Sequence, residues 1–163
     1  MFPDDIEALA RQVIEAALAR GVMIATAESC TGGLVAGALT AVAGSSAALE
    51  RGFVTYSNTA KMQMLGVPEG LIEAHGAVSE AVARAMASGA LGRSAAQVSV
   101  SVTGIAGPGG GSDQKPVGLV HFGAAGPAGL IHVEHRLGDV GREAIRLESV
   151  RVALRLLLDR IGA

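Results

Sequence analysis

The sequence predicts an α/β fold: a single three-layer domain over residues 1–163, with a mixed, mostly parallel sheet, helices on both faces and a late β-hairpin. Three observations lead there. Short apolar, β-branched runs alternate with helically spaced apolar residues as far as Val102. Two further apolar runs then flank Gly126-Pro127-Ala128-Gly129. A long amphipathic stretch closes the chain. A length of 163 residues suits one domain, and 50% hydrophobic residues are enough to bury a core.

The first helix is expected from Asp4 to Arg20, where Ile6, Leu9, Val13, Ile14, Ala17 and Leu18 keep helical spacing and Gly21 ends it. Val22 to Thr26 reads as a short strand. Thr31 to Val42 reads as a helix with Gly32 and Gly33 in its first turn. A second strand follows from Gly52 to Ser57, then a short helix from Thr59 to Leu65 that stops at Gly66 and Pro68. Ser79 is a suitable N-cap for a helix to Leu91, with Glu80 favourable in the first turn. Val98 to Val102 is the third strand. Val117 to Ala124 and Leu130 to Leu137 form the hairpin, and Arg142 to Ile161 the last helix.

Composition excludes several functions. The net charge is −2 and the pI about 6.1, against a binder of phosphate backbone, so no nucleic-acid partner is expected. Aromatics are 2%, too few for a base-stacking platform. The single cysteine, Cys30, allows no intrachain disulfide and no cysteine metal cluster, and neither metal nor cofactor is expected. The acidic start, Met1-Phe2-Pro3-Asp4-Asp5, is unlike a signal peptide. Cys30 to Leu49 is uncharged, but it is glycine-rich and poor in bulky side chains, so it reads as buried helix and loop. A cytoplasmic protein without membrane contact is the expectation. Eleven of the 13 basic residues are Arg, leaving only Lys61 and Lys115. A desolvated lysine can be neutral near pH 7, whereas an arginine cannot.

In an open sheet of parallel strands, ligands sit beyond the carboxyl ends of the strands. Three loops would meet on that edge: Ala27 to Gly33, Tyr56 to Lys61, and Thr103 to Gly111. Ser29 then stands between a strand and a glycine-rich helix start, where a hydroxyl can attack a carbonyl while amides hold the oxyanion. Capping of the helix by Ser29 or Thr31 explains the same residues without catalysis. No His-Asp pair falls on this edge, since His75 is in a loop and His121, His132 and His135 lie late, so Lys61 is the available base. An unperturbed lysine near pKa 10.4 is neutral in about one molecule in 2500 at pH 7. Burial can supply the roughly 3–4.5 kcal/mol needed to bring it to 7 or 8.

Tyr56, five residues before Lys61, can donate a hydrogen bond or relay a proton. Cys30 is the rival nucleophile, or else a small buried hydrophobe. Gly104 to Gly111 lacks dinucleotide-fingerprint spacing but suits an amide nest for phosphate or carboxylate. Arg146 falls on the apolar face of the last helix and must find an anion, either Glu28 or a ligand phosphate; Arg142 is one turn before it. His132-Val133-Glu134-His135 has poor metal spacing for a strand. The candidate substrate-binding set is Cys30, Thr31, Gly32, Gly33, Asn58, Thr103, Gly104, Ala106, Gly107, Gly109, Arg142 and Arg146.

Thr26-Ala27-Glu28-Ser29-Cys30-Thr31-Gly32-Gly33, Val54-Thr55-Tyr56-Ser57-Asn58 with Lys61, Gly76-Ala77-Val78-Ser79 and Thr103-Gly104-Ile105-Ala106-Gly107-Pro108 closely resemble the CinA C-terminal domain family. Lys115-Pro116-Val117-Gly118 and Gly141-Arg142-Glu143-Ala144-Ile145-Arg146 extend the likeness over nearly the whole chain. The resemblance implies a nicotinamide-nucleotide amidase of pyridine nucleotide salvage, converting nicotinamide mononucleotide and water to nicotinate mononucleotide and ammonia. It implies Ser29 as nucleophile, Lys61 as general base and Tyr56 as their partner, with Thr103 nearby, and a stand-alone form without the second domain many relatives carry. Asp139-Val140-Gly141-Arg142 departs from the commoner Gly-Asp-Arg, so no acidic role passes to Asp139. A non-catalytic phospho-ligand module is the alternative from another class, and a homo-oligomer is expected from the glycine-rich exposed edge.

Overall fold

The computed structural model describes residues 1–163. In chain order the elements are α1 (Asp4–Arg20), β1 (Ile24–Glu28), α2 (Leu34–Thr40), a 3-10 turn at Ser45–Ala47, β2 (Leu49–Val54), α3 (Asn58–Leu65), α4 (Glu69–His75), α5 (Glu80–Gly92), β3 (Val98–Gly104), β4 (Leu119–Gly126), β5 (Gly129–Arg136) and α6 (Arg142–Gly162). The five strands form one sheet in the order β2-β1-β3-β4-β5. β1 pairs parallel with both β2 and β3, while β4 runs antiparallel to β3 and to β5. Four of the five strands therefore point the same way, and β4 alone opposes them. The mixed, mostly parallel α/β sheet holds.

Helices cover both faces because the central strands are apolar on both sides. Every residue of β1 is buried. Ile24, Val98, Val100, Val102, Val120 and Phe122 pack with Ile6, Val13 and Ile14 of α1 and with Ile145, Leu154 and Leu157 of α6. Ala25 and Ala27 face the other way, toward Leu65 of α3 and Val82, Met86 and Ala90 of α5. On that second face small residues bring backbone close to backbone. The Ser99 and Ser101 hydroxyls donate to the Ala87 and Ala83 carbonyls of α5 at 2.7 and 2.6 Å.

Several boundaries differ from the sequence reading, each for a reason in the tertiary structure. The first strand occupies Ile24–Glu28 rather than Val22 to Thr26, because pairing with β3 runs Ile24↔Val98 to Glu28↔Val102. The second strand is Leu49–Val54 rather than Gly52 to Ser57, its register set by β1. Gly52 sits inside it because a Cβ there would meet the Thr26 hydroxyl at 2.9 Å. The helix expected from Thr31 starts only at Leu34, since Gly32 (φ 57°) and Gly33 (φ 101°) form a left-handed turn before it. The hairpin strands shift to Leu119–Gly126 and Gly129–Arg136 around a Pro127-Ala128 turn, with Gly126 paired to Gly129. α4 escaped the sequence reading because it buries no residue and shows no apolar stripe.

α3 is held against α5 at Gly89, where an added Cβ would land on the Leu65 carbonyl oxygen. Gly89→Ala must push the two helices apart. It is expected to lower the unfolding free energy by about 1–3 kcal/mol in urea titrations, with no loss of helix content by circular dichroism.

Candidate active site

β1 ends in Glu28, which is fully buried. Its carboxylate accepts from the Val35 and Ala36 amides at 2.8 and 3.0 Å, and from the Thr26 hydroxyl at 3.4 Å. The first-turn amides of α2 are thus engaged by the chain's own anion. The Val35 and Ala36 amides are therefore closed to a ligand, whereas those of the Cys30 to Gly33 segment lie before them. The next residue, Ser29, extends the sheet by one bond, its amide donating to the Val102 carbonyl at 2.9 Å. Gly32 then folds back and donates its amide to the Ser29 carbonyl at 2.9 Å. Ser29 therefore sits on a tight turn locked to both β3 and α2.

Lys61 reaches this turn from α3. The Thr55 amide donates to the Glu28 carbonyl at 2.8 Å, tying the chain beyond β2 to the end of β1. Ser57 caps α3 by accepting from the Ala60 amide at 3.0 Å. Lys61 is 1% exposed, and its Nζ lies 2.9 Å from Ser29 Oγ and 2.8 Å from the Thr55 carbonyl oxygen. No carboxylate pairs with it, and burial pushes its pKa below the ordinary lysine value. A neutral amine at this distance can accept the serine proton. The ammonium form donates to both oxygens instead.

The other expected groups divide into two sets. A cavity of about 270 Å³ is lined by Ser29, Cys30, Tyr56, Asn58, Lys61, Thr103, Gly104, Ala106, Gly107, Gly109 and Arg142, with Ala77, Val78, Ile105 and Gly110. The three strand-end loops do meet on one edge. Thr31, Gly32, Gly33 and Arg146 are not on its wall. Thr31 is wholly buried, and Arg146 lies behind the Ser29 turn, donating from Nε to the Cys30 carbonyl at 3.0 Å and from a terminal nitrogen to the Thr31 carbonyl at 3.2 Å. Glu28 does not take Arg146, contrary to one sequence alternative; two successive carbonyls of the turn satisfy its guanidinium, and the cavity it borders is a separate one, shared with Phe2, Leu34 and Leu147 and not with Ser29.

Tyr56 also differs from the expected dyad partner. Its hydroxyl accepts from Arg142 at 3.0 Å, and the side chain is 61% exposed at the cavity mouth. Arg142 also donates to the Gly107 carbonyl at 2.8 Å and has no carboxylate partner, so an uncompensated cation borders the cavity. Thr103 spends its hydroxyl on the Ala77 carbonyl at 2.8 Å. That bond draws Ala77 and Val78 onto the wall, two residues the sequence reading gave no site role. Their signal in the sequence was the Gly76-Ala77-Val78-Ser79 block of the family resemblance, which carried no role for either residue.

The amides of Ala106, Gly107, Gly109, Gly110 and Gly111 donate to no acceptor within the chain. A larger, open groove of about 590 Å³ lies across this glycine loop, but it includes neither Ser29 nor Lys61. Cys30 is 6% exposed and its thiol is pushed up to about 11, chiefly by burial. His132 and His135 diverge as strand geometry requires: His132 bonds His121 across 2.8 Å, while His135 meets the edge of Phe122. No helix is long and apolar enough to cross a membrane.

The family model described as CinA C-terminal domain matches residues 6–161. The nicotinamide-nucleotide amidohydrolase PncC of Escherichia coli (strain K12) is 50% identical over 159 residues, 96% of this chain and 95% of that protein. A CinA-like protein of Synechococcus sp. (strain RCC307) is 52% identical over 157 residues, but the chain spans only 38% of its length. The crystal structure of the competence/damage inducible protein CihA from Agrobacterium tumefaciens superposes with a TM-score of 0.97 at 55% identity, covering 100% of this chain and 99% of that one.

The depressed Lys61 pKa has a definite sign in stability. Between the folded value and the unfolded value near 10.5, the unfolded chain binds the extra proton, so stability rises with pH through that window. The unfolding free energy of the wild type is expected to climb relative to Lys61→Met as pH is raised from 7 to 10.5. Parallel urea titrations at several pH values measure the slope, and equal slopes would contradict a depressed Lys61.

Proposed function

The chain belongs to the CinA C-terminal domain family, and on that premise we propose that it is an amidase that hydrolyses nicotinamide mononucleotide to nicotinate mononucleotide and ammonia. One observation carries the mechanism: the buried Lys61 amine lies 2.9 Å from the Ser29 hydroxyl with no carboxylate to hold its proton. The likeness to proteins named nicotinamide-nucleotide amidohydrolase, at 50% identity along nearly their whole length, supports the substrate.

Ser29 Oγ attacks the carboxamide carbon as Lys61 Nζ takes the hydroxyl proton. The tetrahedral intermediate collapses, the C–N bond breaks, and Lys61 passes that proton to the departing nitrogen, releasing ammonia and an ester on Ser29. Water then attacks the ester with Lys61 again as base. The ester C–O bond breaks, Ser29 regains its proton, and nicotinate mononucleotide leaves as the carboxylate. Amides of the Cys30 to Gly33 segment hold the oxyanion; of these, that of Gly32 is already engaged, whereas those of Cys30, Thr31 and Gly33 donate to nothing within the chain.

The phosphate is assigned to Arg142 and the unengaged amides of the glycine loop, which supply a cation and directed N–H groups on one wall. Tyr56, held by Arg142, and Asn58 border the ribose. No step calls for a metal or cofactor. A place in pyridine nucleotide salvage, in the cytoplasm, follows from the substrate. A homo-oligomer belongs to the same proposal, since β2 is a sheet edge with Val54 exposed on it and Tyr56 just beyond. Analytical ultracentrifugation finding only monomer would remove that part.

Ammonia release from nicotinamide mononucleotide by the purified protein is the decisive measurement. Ser29→Ala is expected to lower kcat by more than about a thousandfold, and Lys61→Arg, which keeps the charge but holds its proton, by a similar factor. Cys30→Ala is expected to keep kcat within about threefold, because a buried thiol near 11 supplies little thiolate. An active Lys61→Arg would defeat the base assignment. Tight nucleotide binding without ammonia would make the chain a binding module.

A further inference from the structure

Arg146 is a charged side chain bonded to the turn after Ser29 that the mechanism above leaves idle. It rises from the first turns of α6, is half-buried, and meets no carboxylate. Its two bonds are both to peptide carbonyls, those of Cys30 and Thr31. A peptide unit is planar and trans, so its C=O and N–H point in opposite directions. Gripping a carbonyl therefore fixes where the amide of the same plane points. The Cys30 carbonyl shares its plane with the Thr31 amide. The Thr31 carbonyl shares its plane with the Gly32 amide, which donates to the Ser29 carbonyl. The Ser29 carbonyl in turn shares its plane with the Cys30 amide. Three successive planes are thereby set from one guanidinium.

Three amides of the turn are left without an acceptor, those of Cys30, Thr31 and Gly33, and of these residues only Cys30 borders the cavity. We propose that Arg146 is a positioning residue for the amidase reaction, a guanidinium that locks the turn after Ser29 and so preorganises the Cys30 amide, which borders the cavity, as an oxyanion donor. The inference rests on the amidase function proposed above. A fork of donors is needed because two carbonyls at successive positions must be held at once, which a single ammonium does less well. The positive charge on the carbonyl side also polarises each peptide, strengthening the N–H on the other side. Gly32 makes the approach possible: a Cβ there would already stand 3.4 Å from the guanidinium.

The test compares wild type with Arg146→Met, Arg146→Lys and Arg146→Ala, using nicotinamide mononucleotide. Because the loss falls on the transition state, Arg146→Met is expected to lower kcat about ten- to hundredfold with KM within about twofold. Arg146→Lys is expected to fall between the two, and methylguanidinium to restore part of the kcat of Arg146→Ala. Calorimetric binding of the nucleotide in a Ser29→Ala background should be unchanged by adding Arg146→Met. An Arg146→Met enzyme with wild-type kcat would overturn the inference while leaving the amidase function standing. A raised KM and weakened binding at constant kcat would overturn it in favour of a phosphate ligand. Uniform loss that methylguanidinium fails to rescue, with a lowered urea midpoint in all three variants, would make Arg146 structural only. A wild type releasing no ammonia would remove the amidase function and this inference together.

Discussion

An amine buried with only a hydroxyl and a carbonyl for company is the constraint around which the rest of this molecule is arranged. Lys61 has no counter-ion, so burial lowers its pKa, and its Nζ is held 2.9 Å from Ser29 Oγ. Two segments from opposite ends of a β-α-β crossover must therefore be held to within a few tenths of an ångström. The sheet supplies one half: Ser29 continues the ladder with Val102, and Thr55 bonds to Glu28. Helix packing supplies the other, with α3 pressed onto α5 at Gly89. Burial of the amine is thus inseparable from the close packing beneath it.

That packing explains the composition. A core with Phe122 as its one fully buried aromatic side chain has little bulk to fill space, and it compensates by bringing backbones together. Small residues face α5 from β1, β3 and β4, and an added Cβ at Gly123 would meet the Ala83 carbonyl oxygen at 2.5 Å. Serine hydroxyls on β3 satisfy themselves on helix carbonyls, so polar side chains enter an apolar layer without loss of hydrogen bonding. The aliphatic face against α1 and α6 is ordinary by comparison. The asymmetry places the stiff, closely approached face next to α3, which carries the buried Lys61.

The charges around Ser29 are divided by task. Glu28 closes the N-terminus of α2, Arg146 holds two carbonyls of the turn, and Arg142 spans Tyr56 and Gly107 at the mouth. None of these three makes an ion pair, so each works through main-chain or hydroxyl groups rather than by neutralisation. Exposed pairs such as Arg84 with Glu80, or Arg51 with Glu50, contribute little to stability by contrast. Charge in this protein is concentrated, in its effect, within one turn of Ser29.

Much of this was legible in the order of residues. Alternating apolar runs identify the α/β class because strand and helix periods differ, and the parallel strands bring Ser29, Lys61 and the glycine loop to one edge by topology alone. Lys61 stands out because so few lysines compete with it. Other features have no local trace. Strand limits followed pairing partners rather than propensity, so β1 and β2 lay displaced from their apolar centres, and α4 had no buried face to announce it. The partners of Glu28, Tyr56 and Arg146 were decided by tertiary approach, since a side chain's charge states what it needs but not which group will meet it. Arg146 shows the difference most clearly. Its helical phase determined that it must be satisfied inside the fold, and only the turn built by Gly32 and Gly33 determined that two carbonyls beside Ser29 would satisfy it.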